Sequence, residues 1–429
     1  MHAFEYRDGK LHGEAVPLAR IAREVGTPFY CYSYATLERH FKVFQEPFQK
    51  VPNLICFSMK SNSNLAVLRV FLNLGGGLDV VSGGELYRAL KAGCDPRKIV
   101  FSGVGKTIAE MEEALHAGIL LFNVESEQEL VKLDAVARRL GRKAPVALRV
   151  NPDIDPQTHP YISTGLKKNK FGIRIEESAE IYRLAKSLDH VEPIGIHCHI
   201  GSQLLDTRPF VDALRRVKEL VRDLRDHSIV IQYLDLGGGL GITYHEEKPP
   251  HPTEYAQALV EEAAGLGCTF ILEPGRVLVG NAGILVTQVQ YIKRNPDKTF
   301  VIVDSAMNDC IRPSLYGAYQ AIWPVDQKDA EEIQADVVGP ICESGDFLAK
   351  DRLIPSFEPG DLMAIMSTGA YGFSMSSNYN SRPRVAEVLV KGDQYWIVRK
   401  RECYEDLARG ECIPDFLREK VKGSSGQGQ

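Results

Sequence analysis

The sequence has no two cysteines at the close spacing that zinc and redox sites use, no long basic run, and no apolar stretch approaching the length of a membrane helix. Its nine cysteines are odd in number and scattered, which argues against a disulfide framework or a zinc site. Lys and Arg (51) nearly balance Asp and Glu (56), leaving a net charge of -5. Nothing in that balance marks a nucleic-acid or membrane-surface partner. The first ten residues are mixed and polar and lack the apolar core of a signal peptide, so a soluble, cytoplasmic protein is the expectation.

What is present is length and apolar content. A chain of 429 residues, 44% hydrophobic, exceeds one ordinary domain and can bury sizeable cores. Val16 to Ala22 reads as a short helix, and Thr27-Pro28-Phe29-Tyr30-Cys31-Tyr32 as an aromatic-rich strand. Short apolar runs then recur at 54–57, 78–81, 99–101, 120–124, 146–150, 194–200, 231–236 and 270–272. Between them lie segments with helical periodicity, such as 85–92 and 109–115. Strand and helix alternating eight times predicts a closed (β/α)8 barrel rather than an open doubly wound sheet. After Arg276 the rhythm changes to valine-rich runs at 283–291, 300–303, 335–338, 362–365, 384–389 and 395–398, separated by turns. That pattern predicts an antiparallel β-domain. The expected division is 1–35, a segment packing with the β-domain; 36–277, the barrel; 278–420, the β-domain; and 421–429, a glycine- and serine-rich disordered tail.

Barrel enzymes keep their chemistry at the C-terminal ends of the strands, and polar residues lie there. The first run leads into Lys60, an amine suited to Schiff-base formation. The second carries Asp79; the sixth ends in His197-Cys198-His199-Ile200-Gly201-Ser202-Gln203; the seventh in Asp235-Leu236-Gly237-Gly238-Gly239; the eighth in Glu273-Pro274-Gly275-Arg276. Three glycines after the seventh strand suit either a tight turn or a backbone approach to a phosphate. His197 and His199, two apart on a strand, share a face. No third ligand is spaced to complete a metal site with them, so the expectation is no metal; a ring-stacking role and a satisfied core histidine are the remaining readings. Glu273 could pair with Arg276, or face a ring nitrogen and leave Arg276 for a carboxylate or phosphate. In the β-domain, 307–316, 339–346 and 368–371 join reactive polar residues to glycine or proline.

With these motifs in this order, the chain resembles the fold-type III pyridoxal-phosphate-dependent decarboxylases over essentially its whole length, through HIGSQ, GGGLGI, EPGR, the segment from Asn308 to Tyr316, CESGD and GAY. The resemblance implies an alanine racemase-like architecture of barrel plus β-domain, and pyridoxal 5'-phosphate as cofactor. Lys60 would hold the cofactor as a Schiff base, His199 would stack on its ring, and Glu273 would bond its ring nitrogen. Ser202, Gly238, Gly239, the backbone of Gly275 and Arg276, and Tyr371 would hold the phosphate, with Asp79 also in the cofactor site. Arg276, Arg312, Tyr316 and Tyr371 would contact substrate. Cys342 resembles the proton donor and Glu343 the reader of a distal amino group, both entering from the partner subunit of a homodimer with shared sites. The implied reaction is decarboxylation of meso-2,6-diaminopimelate to L-lysine, the last step of lysine biosynthesis. Ornithine, arginine or carboxynorspermidine are the alternative substrates, and a non-catalytic cofactor-binding relative is the alternative from another class. One departure is visible: the family has Tyr-Ala-x-Lys-Ala-Asn around the lysine, and this chain has Phe57-Ser58-Met59-Lys60-Ser61-Asn62.

Overall fold

In the computed structural model, which describes residues 2–154 and 170–418, each of the eight apolar runs becomes a strand. They are Asn53–Ser58, Gly77–Val80, Ile99–Phe101, Leu121–Val124, Ala144–Asn151, Val191–His197, Tyr233–Asp235 and Thr269–Leu272. Neighbours pair in parallel, and the eighth pairs with the first, Ile271 opposite Leu54, so the sheet closes into a barrel. The sixth strand stops at His197, short of the expected Ile200. The tail expected at 421–429 lies outside the described residues.

Helix starts along the barrel repeat one device. Ser82, Thr107 and Ser126 each accept the amide of a glutamate three residues on, Glu85, Glu110 and Glu129. The glutamates reach back in turn: Glu110 accepts from the Thr107 amide at 2.9 Å, Glu85 from the Val81 amide at 2.8 Å, and Glu129 from the Glu125 amide at 3.0 Å. Each cap stabilises its helix by about 1 kcal/mol. Here each also fixes the loop between a strand end and the next helix, at the mouth of the barrel.

Side-chain alternation along the strands builds the barrel interior in layers. Cys56, Val100, Leu121, Ala147 and Ile271 form an apolar plug. Two residues further along, every strand or the residue just past it presents a polar side chain: Ser58, Asp79, Ser102, Asn123, Arg149, His197, Asp235 and Glu273. All are buried. A polar floor of this kind is tolerable only where its members satisfy one another, and it lies directly beneath the strand ends.

A second sheet is organised on the long strand Gly283–Arg294, which pairs antiparallel with Thr299–Val303, Leu362–Ile365 and Phe29–Ser33. The aromatic strand near the N-terminus therefore lies in this sheet. It also pairs in parallel with Ala386–Lys391, and Thr299–Val303 pairs in parallel with Glu332–Val338. The sheet is thus mostly antiparallel with two parallel junctions, which need long crossovers; for Phe29–Ser33 the crossover includes the whole barrel. Two strands had no clear signal in the sequence. Ile322–Pro324 is three residues long, and Phe347–Pro355 carries Lys350-Asp351-Arg352 in its middle, which hides its alternation. The first helix runs Leu18–Val25 rather than 16–22, because Val16–Pro17 is drawn into a small sheet with Phe4–Arg7 and Lys10–Gly13. Among the described residues no helix is long and apolar enough to cross a membrane.

Candidate active site

Between the barrel mouth and the loops of the second sheet lies a cavity of about 520 Å3. Lys60, His199, Ser202, Glu273 and Arg276 reach it from the barrel, and Arg312, Tyr316 and Tyr371 from the second sheet. Asp79 sits in the floor beneath, 3.5 Å from Lys60 Nζ, and accepts a bond from Ser58 Oγ at 2.6 Å. Burial works against the Lys60 ammonium, but Asp79, followed by Tyr371 and Glu273, outweighs it and raises its pKa above that of an ordinary lysine.

Three carboxylates share the floor. Asn123 Nδ2 lies 3.0 Å from Asp235 Oδ2 and 3.3 Å from Glu273 Oε1, and the Gly237 amide donates to Asp235 Oδ1 at 3.0 Å. Burial pushes the Glu273 carboxyl up, yet the His197 ring 3.5 Å away and Lys60 more than compensate, and Glu273 is held well below the usual carboxylate range. Asp235 and Asp79 move the other way, raised by burial and by the charge of Glu273. The floor therefore concentrates its negative charge on Glu273.

His197 ends the sixth strand and belongs to the floor, while His199 lies beyond the strand end, where its Nδ1 accepts the Gly238 amide at 3.1 Å; both line the cavity. A neutral His199 with its proton on Nε2 fits that bond, and burial followed by the charge of Lys60 lowers its pKa well below the ordinary histidine value. Sequence spacing offered no third ligand beside the histidines; the fold brings Asp235 and Glu273 to His197, with one potential ligand atom of each within 4.8 Å of the others. Both carboxylates are already hydrogen-bonded to Asn123, so the trio forms part of the floor.

Gly238 and Gly239 follow the seventh strand. A Cβ at Gly238 would lie 2.2 Å from the Glu273 carbonyl oxygen, and Gly239 has φ +124, so neither position accepts a larger residue without backbone movement. Gly275 precedes the short helix Arg276–Val279, where the Leu278 and Val279 amides donate to the Gly275 carbonyl and the amides of Gly275 and Arg276 stand ahead of the first helical bond. Tyr371, with φ 56, is a non-glycine residue in the left-handed region, tied by its amide to the Ser61 carbonyl at 2.8 Å. Such strain is held only where its surroundings over-determine it.

Arg276 is buried and does not pair with Glu273. Its Nη1 donates to Tyr244 Oη at 2.6 Å and its Nη2 to Ser202 Oγ at 3.0 Å. The Arg312 guanidinium lies over the Tyr244 ring, 4.6 Å from its centroid. Sequence reading missed Ser102, Asn123, Arg149 and Tyr244 in the site. The first three fall at the inward position two residues past an apolar one, a signal available from strand periodicity; Tyr244 lies in a loop and had none.

Residues 34–280 match the family model for the pyridoxal-binding domain of pyridoxal-dependent decarboxylases. The chain is 54% identical over 413 residues to diaminopimelate decarboxylase of Pseudomonas aeruginosa, covering 96% of this chain and 99% of that one. The crystal structure of diaminopimelate decarboxylase from Helicobacter pylori complexed with L-lysine superposes with a TM-score of 0.89 at 45% identity, covering 94% of this chain and 100% of the other. The M. jannaschii enzyme, also in complex with L-lysine, superposes with a TM-score of 0.93 at 38% identity, covering 97% and 99%. The chain belongs to the diaminopimelate decarboxylase family.

Family members are carboxy-lyases that use pyridoxal phosphate, and the residues present suit that group. The cavity offers a lysine amine, an ionised carboxylate and a neutral histidine, and near Ser202 the buried Arg276 Nε has no acceptor among the described residues. The family departure around the lysine is local. Phe57 points outward from the barrel onto Phe71, ring centroids 4.5 Å apart, so the missing hydroxyl lies away from the cavity. Ser58, by contrast, adds the bond to Asp79. Two site residues that the resemblance implied are not brought to this cavity within the chain: Cys342 and Glu343 are exposed, with the Cys342 amide donating to Asn380 Oδ1 at 2.9 Å and Glu343 Oε2 accepting from Tyr379 Oη at 3.2 Å.

Proposed function

We propose that the chain decarboxylates meso-diaminopimelate to L-lysine in the cavity above Lys60, in a homodimer whose subunits exchange the Cys342–Glu343 loop. The observation that carries this reading is the meeting of Lys60, His199 and Glu273 with two arginines around one cavity, in a chain whose relatives at about half identity are diaminopimelate decarboxylases. Bound pyridoxal phosphate supplies a carbonyl for the amines and a ring that accepts the electron pair left when carbon dioxide departs.

The protein's part is positioning and charge. Lys60 would hold the cofactor through its amine and yield it to the substrate amine. Glu273, kept ionised by His197, would keep the ring nitrogen protonated, and neutral His199 would pack against the ring. Ser202, Gly238, Gly239 and the amides of Gly275 and Arg276, with Tyr371, would hold the phosphate, and Asp79 would orient Lys60. Arg276, Arg312 and Tyr316 bind carboxylate on the substrate, since a planar guanidinium matches that group.

Cys342 of a second copy gives a proton to the α-carbon, and the neighbouring Glu343 pairs with the distal ammonium. Their loop is exposed yet firmly held: Asp346 accepts the Met307 and Ile341 amides, both at 2.7 Å, and Ser314 Oγ donates to the Gly345 carbonyl at 2.6 Å. A fixed loop with outward reactive side chains suits service to another subunit. The working division is a barrel of 36–277 and a β-domain from 278 that takes in the first 35 residues, supported by the pairing of Phe29–Ser33 with Gly283–Arg294. The place of action is the cytoplasm.

Carbon dioxide release from the holoenzyme across meso-diaminopimelate, ornithine and arginine tests the substrate. Release from diaminopimelate alone is expected; release only from ornithine or arginine overturns the reading.

A further inference from the structure

The loop from Ile242 to Glu247, which follows the glycine turn, is held in place by more bonds than a surface connection needs. Gln203 bonds Ile242 both ways, its Nε2 donating to the carbonyl at 2.6 Å and its Oε1 accepting the amide at 3.1 Å. Glu247 Oε2 accepts the amides of Tyr244 and His245 at 2.9 and 2.6 Å, and Asn281 Nδ2 donates to the Thr243 carbonyl at 3.1 Å. The loop then crosses to the second domain, where the His245 ring lies 4.1 Å from that of Tyr319. Within this frame Tyr244 is buried, and its two ends serve two different cations. Its oxygen accepts from Arg276 Nη1 at 2.6 Å. Its ring face lies 4.6 Å from the Arg312 guanidinium carbon, and Arg312 Nη1 lies 2.7 Å from the Gln320 side-chain amide, whose oxygen accepts from it when the amide is turned toward the guanidinium.

We infer that Tyr244 is a positioning residue that sets the spacing of the Arg276 and Arg312 guanidiniums, and thereby selects ligands carrying a carboxylate at that spacing. The two arginines come from different domains, Arg276 from the barrel and Arg312 from the second sheet. Two like charges facing one cavity repel. A phenol between them offers an oxygen to one and a π-face to the other, which holds both without neutralising either as an aspartate would. A carboxylate entering the cavity then meets two guanidiniums already placed, and little ordering cost remains at binding.

The inference rests on the proposed carboxylate-binding role of the two arginines, and the test separates the two. Lysine and 1,5-diaminopentane share a chain and two amines and differ by one carboxylate, so each is measured as an inhibitor of the holoenzyme. Tyr244→Phe keeps the ring and loses the oxygen; Tyr244→Leu loses both; Arg312→Met tests the arginine itself. In Tyr244→Phe, lysine affinity and the KM for diaminopimelate each weaken about tenfold, the scale of one charged hydrogen bond. Tyr244→Leu weakens both further, while kcat, cofactor content and inhibition by 1,5-diaminopentane stay within about twofold. Equal weakening of the two inhibitors, or no weakening of lysine, overturns the role of Tyr244. If Arg312→Met also leaves lysine affinity unchanged, the carboxylate reading of the arginines fails, and the inference with it.

Discussion

In the floor beneath the barrel mouth Asp79, Asp235 and Glu273 are almost fully buried and locked by Ser58, Asn123 and the Gly237 amide, whereas on the second domain Cys342 and Glu343 stand exposed at the end of a fixed loop. The buried set has its electrostatics settled by the fold: the His197 ring and Lys60 hold one carboxylate down in pKa, and burial with the charge of that carboxylate raises the other two. The exposed pair meets the Asn380 and Tyr379 side chains at the surface of its own chain. The floor thus finds its partners within the chain, whereas the exposed pair would find further partners in the proposed dimer. A chain can be rigid in both places and complete in only one.

The largest effect expected from breaking the buried side comes from Lys60→Ala. Absorbance from covalently held cofactor disappears and turnover falls by about 10^4-fold or more, the scale set by loss of a covalent group. A variant that keeps the absorbance refutes the assignment. Next comes Glu273→Gln, which leaves shape intact and removes the charge on which the floor converges. Its kcat falls by about 10^2 to 10^3-fold with cofactor still bound; a kcat within threefold of the parent would show that Glu273 has no part in the chemistry.

The second domain has a buried carboxyl of its own. Asp309, in the segment that leads to Arg312, accepts the Ala306 amide at 3.0 Å, and burial pushes its pKa up to about 7. In the unfolded chain it ionises near its ordinary value of about 3.9. Folding therefore takes up a proton between these values: the carboxyl's favourable contribution is fully present below about pH 4 and is lost as pH rises through about 7. Replacing it by Asn removes that loss. The stability of Asp309→Asn relative to the parent should rise between pH 4.5 and pH 7.5, by about 3 kcal/mol; a pH-independent difference in denaturant midpoint would contradict this. The smallest effect concerns Phe57. Phe57→Tyr restores the family hydroxyl on the side packed against Phe71, away from the cavity, so it should cost about 1 to 3 kcal/mol of stability and leave cofactor affinity unchanged. Tighter cofactor binding in this variant would place the ring at the site after all.

The eight barrel strands were legible because each is a short apolar run between amphipathic helices. Lys60, Asp79 and Glu273 were legible because they fall at or beside the ends of those runs. His199 was identified, but its setting was misjudged: residues 198–200 look as apolar as a strand, yet the chain leaves the sheet at His197, and only the Gly238 amide reveals where the ring sits. Asn123 and Arg149 lie inside apolar runs as single polar residues, and their meaning depends on seven other strands supplying partners at the same height. Tyr244 has no periodic signal, since its role comes from two arginines 32 and 68 positions away that converge only in the fold. The strand Phe347–Pro355 was hidden because charged residues occupy its middle.

The contrast between the complete floor and the exposed pair is tested most directly by complementation. Lys60→Ala and Cys342→Ala proteins, each inactive alone, are unfolded together, refolded as a mixture, and assayed for release of carbon dioxide from meso-diaminopimelate. If each site takes its lysine from one subunit and its cysteine from the other, half of the dimers are mixed and each carries one intact site, so activity returns to roughly a quarter of the parent value. A mixture shown to contain mixed dimers yet still inactive would place both residues in one subunit and contradict the account.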